Sequence, residues 1–169
     1  NGEQIIGETN IDVPKHNAHL AIADAFLIGW GKLNPRANEV LRNSDYIIIG
    51  PGDLYTSIVP NLLSEGIREA IHYSHAKIIY ICNIMTKYGE TNNFEVEDFV
   101  NVIEKYIGKW EIDYVLVNNA HIRPDLVQKY AEEENKKPVQ ITDLSKFKDE
   151  SFRIVQRDLV NENDYIRHD

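Results

Sequence analysis

The chain has 169 residues, 43% of them hydrophobic and 27% charged, with a formal net charge of −9. That is enough material for one domain of ordinary size with a real core. The balance excludes several classes: there is no basic stripe to follow a nucleic-acid backbone, no apolar run near the ~18 residues needed to cross a bilayer, and no charged-then-apolar leader at the front. Cys82 is the only cysteine, so there is no internal disulfide, and its apolar surroundings (Ile78 to Ile81) read as those of a structural thiol in a reducing cytoplasm. The chain starts at Asn1 and its only methionine is Met85, which suggests a piece cut from something longer.

Along the chain, Gln4-Ile5-Ile6 and Ala25 to Gly29 read as short strands. Asn34-Pro35 reads as a helix start, with Asn as N-cap and Pro at the first helical position, and the helix ends near Asn43. Tyr46-Ile47-Ile48-Ile49 is a continuous β-branched run, the pattern of a strand buried on both faces. A helix is expected from about Pro60 to Tyr73 and a second buried strand from Lys77 to Cys82. Phe99, Val100, Ile103, Tyr106 and Ile107 recur at helical spacing in a helix from about Glu95, stopped by Gly108, with Asn92 or Asn93 as its expected cap. Tyr114 to Val117 is a third strand, Pro124 opens another helix, and Val139 to Ile141 and Phe152 to Val155 read as two more strands. Strand alternating with helix predicts an α/β domain with a mostly parallel sheet and helices on both faces.

Ligands of open α/β sheets bind outside the carboxyl ends of the strands, which directs attention to three loops. The first holds Gly50, Gly52, Asp53, Thr56 and Ser57: two glycines to bring backbone close to a ligand, amides suited to an anion, and two hydroxyls. It lacks the Gly-Lys-Ser/Thr ending of a Walker loop, Asp53 suits a hydroxyl or a helix cap better than a phosphate, and a plain tight turn explains the glycines equally well. The second offers Lys87 as a cation and Asn83, Thr86 and Thr91 as hydrogen-bonding groups in a connection long enough to suggest function. The third holds Asn118 and Asn119, which could read a base or sugar edge, and Arg123, which could meet a phosphate; turn preference alone also accounts for the asparagines. The pairs His16/His19 and His72/His75 have metal-ligand spacing but no carboxylate or third histidine in register, so surface histidines are expected. The Glu132-Glu133-Glu134 run reads as a solvated helix end.

The runs Gly50-Pro51-Gly52-Asp53-Leu54-Tyr55-Thr56-Ser57-Ile58-Val59-Pro60-Asn61-Leu62-Leu63 and Cys82-Asn83-Ile84-Met85-Thr86-Lys87-Tyr88-Gly89-Glu90-Thr91 closely resemble the YvcK/CofD family. Asp113 to Asn119, Asp158-Leu159-Val160 and the closing Arg167-His168-Asp169 match its YvcK-like branch in order and spacing. The resemblance implies a three-layer α/β/α, Rossmann-like, CofD-like fold, a cytoplasmic protein and a homodimer. It also implies that residues 1–169 are the C-terminal part of a single CofD-like domain, without the family's opening strand and Gly-rich turn. YvcK-like proteins, called gluconeogenesis factors, bind UDP-sugars and influence carbon use and cell shape. In that branch Tyr130 and Arg167 fall where the UDP-sugar is contacted: an aromatic face could stack on uracil and a guanidinium could grip the diphosphate, although Tyr130, four residues after Leu126, also suits a core-facing position. The alternative is a CofD-like transferase moving 2-phospho-L-lactate from a guanylylated donor to a deazaflavin. A Mg ion would then neutralise the leaving charge, with Asp53 and Glu90 available to it.

Overall fold

The computed structural model describes residues 2–141, 143–161 and 165–168. The continuous apolar runs make the sheet. β1 (Tyr46–Ile49), β2 (Lys77–Ile81), β3 (Tyr114–Asn118) and β4 (Arg153–Arg157) lie side by side in sequence order, and every pair is parallel. Lys77 stands opposite Tyr46, and Tyr114 faces Ile79 on one side and Arg153 on the other. The expectation of an α/β chain with a mostly parallel sheet holds.

The helices are α1 (Glu8–Asp12), α2 (Pro35–Asn43), α3 (Val59–Leu62), α4 (Ile67–His72), α5 (Val96–Ile107) and α6 (Pro124–Glu134). Asn34 caps α2 as expected, its side chain accepting from the Arg36 amide. The core forms between α5 and one sheet face. Val96, Phe99, Val100, Ile103 and Ile107 of the helix meet Ile47, Ile49, Ile78, Tyr80, Val115 and Val117 of the strands. Each such fully buried apolar side chain contributes about 1.5–3 kcal/mol by leaving water. Cys82 belongs to this core, where burial pushes its thiol up to about 12, as befits a structural residue. Glu104 shares the buried face of α5, accepts from the Trp110 amide at 3.1 Å, and is held above the usual carboxylate range by that burial.

Several expectations are corrected. Residues 4–6 and 25–29 form no strand; the first lies before the short α1, and both leave apolar groups in water, with Ile6 62% and Ile28 72% exposed. An apolar triplet makes a strand only where a neighbouring strand can take its backbone groups. The helix expected over 60–73 is two helices, because Gly66 turns left-handed (φ 95°) and the chain before it pairs with the segment at Gly31–Leu33. Val139–Ile141 is not a strand either; Lys137 and Val139 bond to Thr86 and Ile84 around a single antiparallel bridge between Met85 and Pro138. Neither Asn92 nor Asn93 caps α5, since Glu95 and Asp98 form a reciprocal capping box. β1 is buried on one face only: Tyr46 and Ile48 are 64% and 61% exposed. A short antiparallel pair, β5 (Val160–Asn161) and β6 (Arg167–His168), packs separately; Ile166 joins Ile84, Ile122, Leu126 and Tyr130 in a second, smaller apolar cluster.

Candidate functional site

Because all four strands run the same way, the loops after β1, β2 and β3 leave from one rim of the sheet. Two of them lock together. The Asn83 amide donates to the Gly52 carbonyl at 2.7 Å. Glu90 accepts from the Tyr55 amide at 2.8 Å and from the Thr56 hydroxyl at 3.2 Å. Between these contacts the first loop winds into a π-turn over Leu54–Ile58, in which the Asp53 carbonyl accepts from both the Ser57 and Ile58 amides. Single π-turns of this kind are rare and concentrate at functional sites. The second loop is braced at Gly89 (φ 86°), where any Cβ would lie 2.8 Å from Pro14, so only glycine fits.

Lys87 sits at the centre of this joint. Its ammonium contacts Asp12, Asp53 (2.5 Å) and Glu90 (3.5 Å). Burial pulls its pKa down, but the hydrogen bonds to Asp12 and Asp53 outweigh that, and it stays above the ordinary lysine range. Burial likewise pushes the Glu90 carboxyl up, against the opposing pull of the Tyr55 amide and of Lys87. Thr86 is also engaged internally, accepting from the Lys137 amide at 2.9 Å. Gly50 and Gly52 adopt no positive φ and have room for a Cβ, so their value at this rim is open backbone rather than unusual conformation.

A cleft of about 310 Å³ opens beside the joint. One wall carries Gly52, Asp53, Asn83, Thr86 and Lys87, and the other Tyr130, Lys136, Arg167 and His168. Of the sequence-derived candidates, Gly50, Thr56, Ser57 and Asn118 do not line it. Thr56 is turned to Glu90, and Asn118 closes its own turn, accepting from the Ala120 and Leu159 amides at 3.2 and 3.1 Å. Arg123 pairs with Asp125 in the first turn of α6. Tyr130 takes the core-facing position, 9% exposed in the second cluster, and it also borders the cleft.

Lys136 was not among the residues singled out from the sequence. Asn135 ends α6 in a left-handed conformation (φ 50°), turning the chain back so that the Lys136 Nζ lies 5.8 Å from the Tyr130 ring centroid while pairing with Glu134 at 2.5 Å. An Asn that ends a helix just before a basic residue was the available signal. Arg167 lies over Tyr165 in the same fashion, at 5.4 Å, and burial lowers the His168 pKa below its usual 6.5. His72 meets Glu111 at 2.7 Å on the surface, so that histidine does have a carboxylate, but no further ligand group joins it among the described residues.

A four-stranded parallel sheet whose strand-end loops border a polar, partly cationic cleft defines an open α/β domain. Residues 1–160 match the family model described as 2-phospho-L-lactate transferase CofD, and the chain belongs to that family. It is 41% identical over 136 residues to the gluconeogenesis factor of Bacillus subtilis, covering 80% of this chain and 42% of that protein. It is also 41% identical over 132 residues to a putative gluconeogenesis factor of Thermotoga maritima, covering 78% of this chain and 40% of that protein. The solved structure of a UPF0052 family member from Bacillus halodurans superposes with a TM-score of 0.88 at 37% identity, over 98% of this chain and 52% of that one. The chain thus spans less than half the length of these curated relatives.

Proposed function

We propose that the chain is the ligand-holding part of a YvcK-type regulatory protein that binds a UDP-sugar in the cytoplasm, as a homodimer, and acts on carbon metabolism and cell shape. The observation that carries this reading is the convergence of Tyr130, Lys136 and Arg167 on one cleft opposite the backbone of the glycine loop. An aromatic edge beside two cations suits a uracil joined to a diphosphate, and the amides and hydroxyls of the facing loop suit a sugar. The names of the relatives, gluconeogenesis factors, support the regulatory setting. The open face and edge of β1, with Tyr46 and Ile48 exposed, is where we place the rest of a CofD-like domain.

The test is calorimetric titration of the intact protein with UDP-N-acetylglucosamine and, separately, with a deazaflavin plus GDP. Saturable binding of the UDP-sugar alone supports the reading. Formation of a phospholactyl-deazaflavin from a guanylylated donor would replace it with the transferase. Light scattering on a sizing column checks the dimer, and a monomeric mass refutes it. The transferase would call on a divalent cation, and Asp12, Asp53 and Glu90, with carboxylate oxygens within 4.8 Å of one another, are the residues that could hold one. They do not fit that task as they stand, because the Lys87 ammonium lies among them.

A further inference from the structure

We infer that Lys87 stands in for a divalent cation at this rim: its ammonium is the fixed counter-ion of Asp12, Asp53 and Glu90, and the cluster is thereby closed to Mg²⁺ and Mn²⁺. An ammonium has three N–H donors and no acceptor, and here three carboxylates surround it, two in direct contact and Glu90 at 3.5 Å. The carboxylates come from three separate places, namely α1, the loop after β1 and the loop after β2, so one cation gathers three segments. That is the structural work a bound metal performs in other folds.

The surroundings favour permanence. The Lys87 side chain is 18% exposed and that of Glu90 wholly buried. Both Glu90 oxygens also accept from Tyr55 and Thr56, so turning them towards a metal would break those bonds. The lysine backbone is clamped as well: its amide donates to the Thr91 hydroxyl at 2.8 Å and its carbonyl accepts from the Thr91 amide at 2.9 Å. A divalent ion would have to displace an ammonium held in place at both ends. The inference concerns the cation alone and stands whichever organic ligand the cleft takes.

The experiment compares the intact wild-type protein with Lys87→Gln, using Mn²⁺ as probe, by electron paramagnetic resonance and by melting temperature. Wild type should show no saturable Mn²⁺ binding and an unchanged melting temperature. Lys87→Gln should bind one Mn²⁺, and at ~100 times the dissociation constant its melting temperature should rise by on the order of 5–10 °C. Lys87→Gln/Asp53→Asn should lose that response. If Lys87→Gln does not fold without metal, recovery of the fold on adding Mn²⁺ supports the inference and failure to recover overturns it. It is equally overturned if wild type binds one Mn²⁺ that Asp53→Asn removes, or if folded Lys87→Gln shows no response to Mn²⁺.

Discussion

The two walls of the cleft are built on opposite principles. On the wall formed by the loops after β1 and β2, Asn83 is already committed to Gly52 and Lys87 to three carboxylates, and behind it Thr56 and Tyr55 are committed to Glu90. On the wall formed by α6 and β6, Lys136 and Arg167 line the cleft over aromatic rings beside a small separate cluster, and the ion pair there is a local one, Lys136 with the nearby Glu134. The first wall is a frame tied to distant segments, and under the proposed function the second is the part that answers a ligand. A charged residue in a strand-end loop is therefore a poor guide to what grips a ligand; whether buried or distant carboxylates already hold its charge decides.

Five substitutions and a pH series would break or sharpen this contrast. The largest effect is expected for Lys87→Ala, which leaves Asp12, Asp53 and the buried Glu90 without a counter-charge. A loss of about 3 kcal/mol in urea unfolding is expected, allowing for the partial exposure of the two aspartates. A loss below ~0.5 kcal/mol, within the range of ordinary surface substitutions, would remove the frame from the account. Next, Arg167→Ala should weaken UDP-sugar binding by about 2 kcal/mol, roughly 30-fold, with the melting temperature little changed, because a charged hydrogen-bonding group is lost from an open edge. Equal losses of affinity and stability would mean that Arg167 belongs to the frame.

Lys136→Met should cost about tenfold in affinity, while Glu134→Gln, which releases Lys136 from its ion pair, should raise affinity by a smaller factor. The opposite ordering would show Lys136 to be a surface ion pair and nothing more. The smallest effect concerns pH. His168 has its pKa lowered by burial, so at neutral pH it is uncharged. An anionic ligand favours the protonated ring, so affinity should rise a few-fold as pH falls from 7 through the range below 6.5, and His168→Gln should flatten that slope. A slope unaltered in the variant would place the titration elsewhere.

Much of the frame was legible in the sequence, because its signals are local. The Ile-rich runs of β1 and β2, the Asn34-Pro35 start of α2 and the apolar stripe of α5 each declare themselves within a dozen residues. The rule that ligands sit at the carboxyl ends of strands then placed the loops after β1 and β2 together. What was not legible depends on distant partners. Whether Ile48 is covered depends on what packs beyond the sheet, and whether Lys87 is available depends on Asp12, 75 positions away. The break at Gly66 needed the pairing of Glu65 with Gly31 and Leu33 to be seen. Lys136 entered the site through a left-handed Asn135, a backbone event rather than a motif.

The most direct test of the contrast is a crystal structure of the intact protein with UDP-N-acetylglucosamine bound. The account expects the diphosphate oxygens within hydrogen-bond distance of Arg167 and Lys136, with Lys87 still held by Asp12, Asp53 and Glu90. A diphosphate resting on Lys87, with those carboxylates turned away or gathered around a metal, would contradict it.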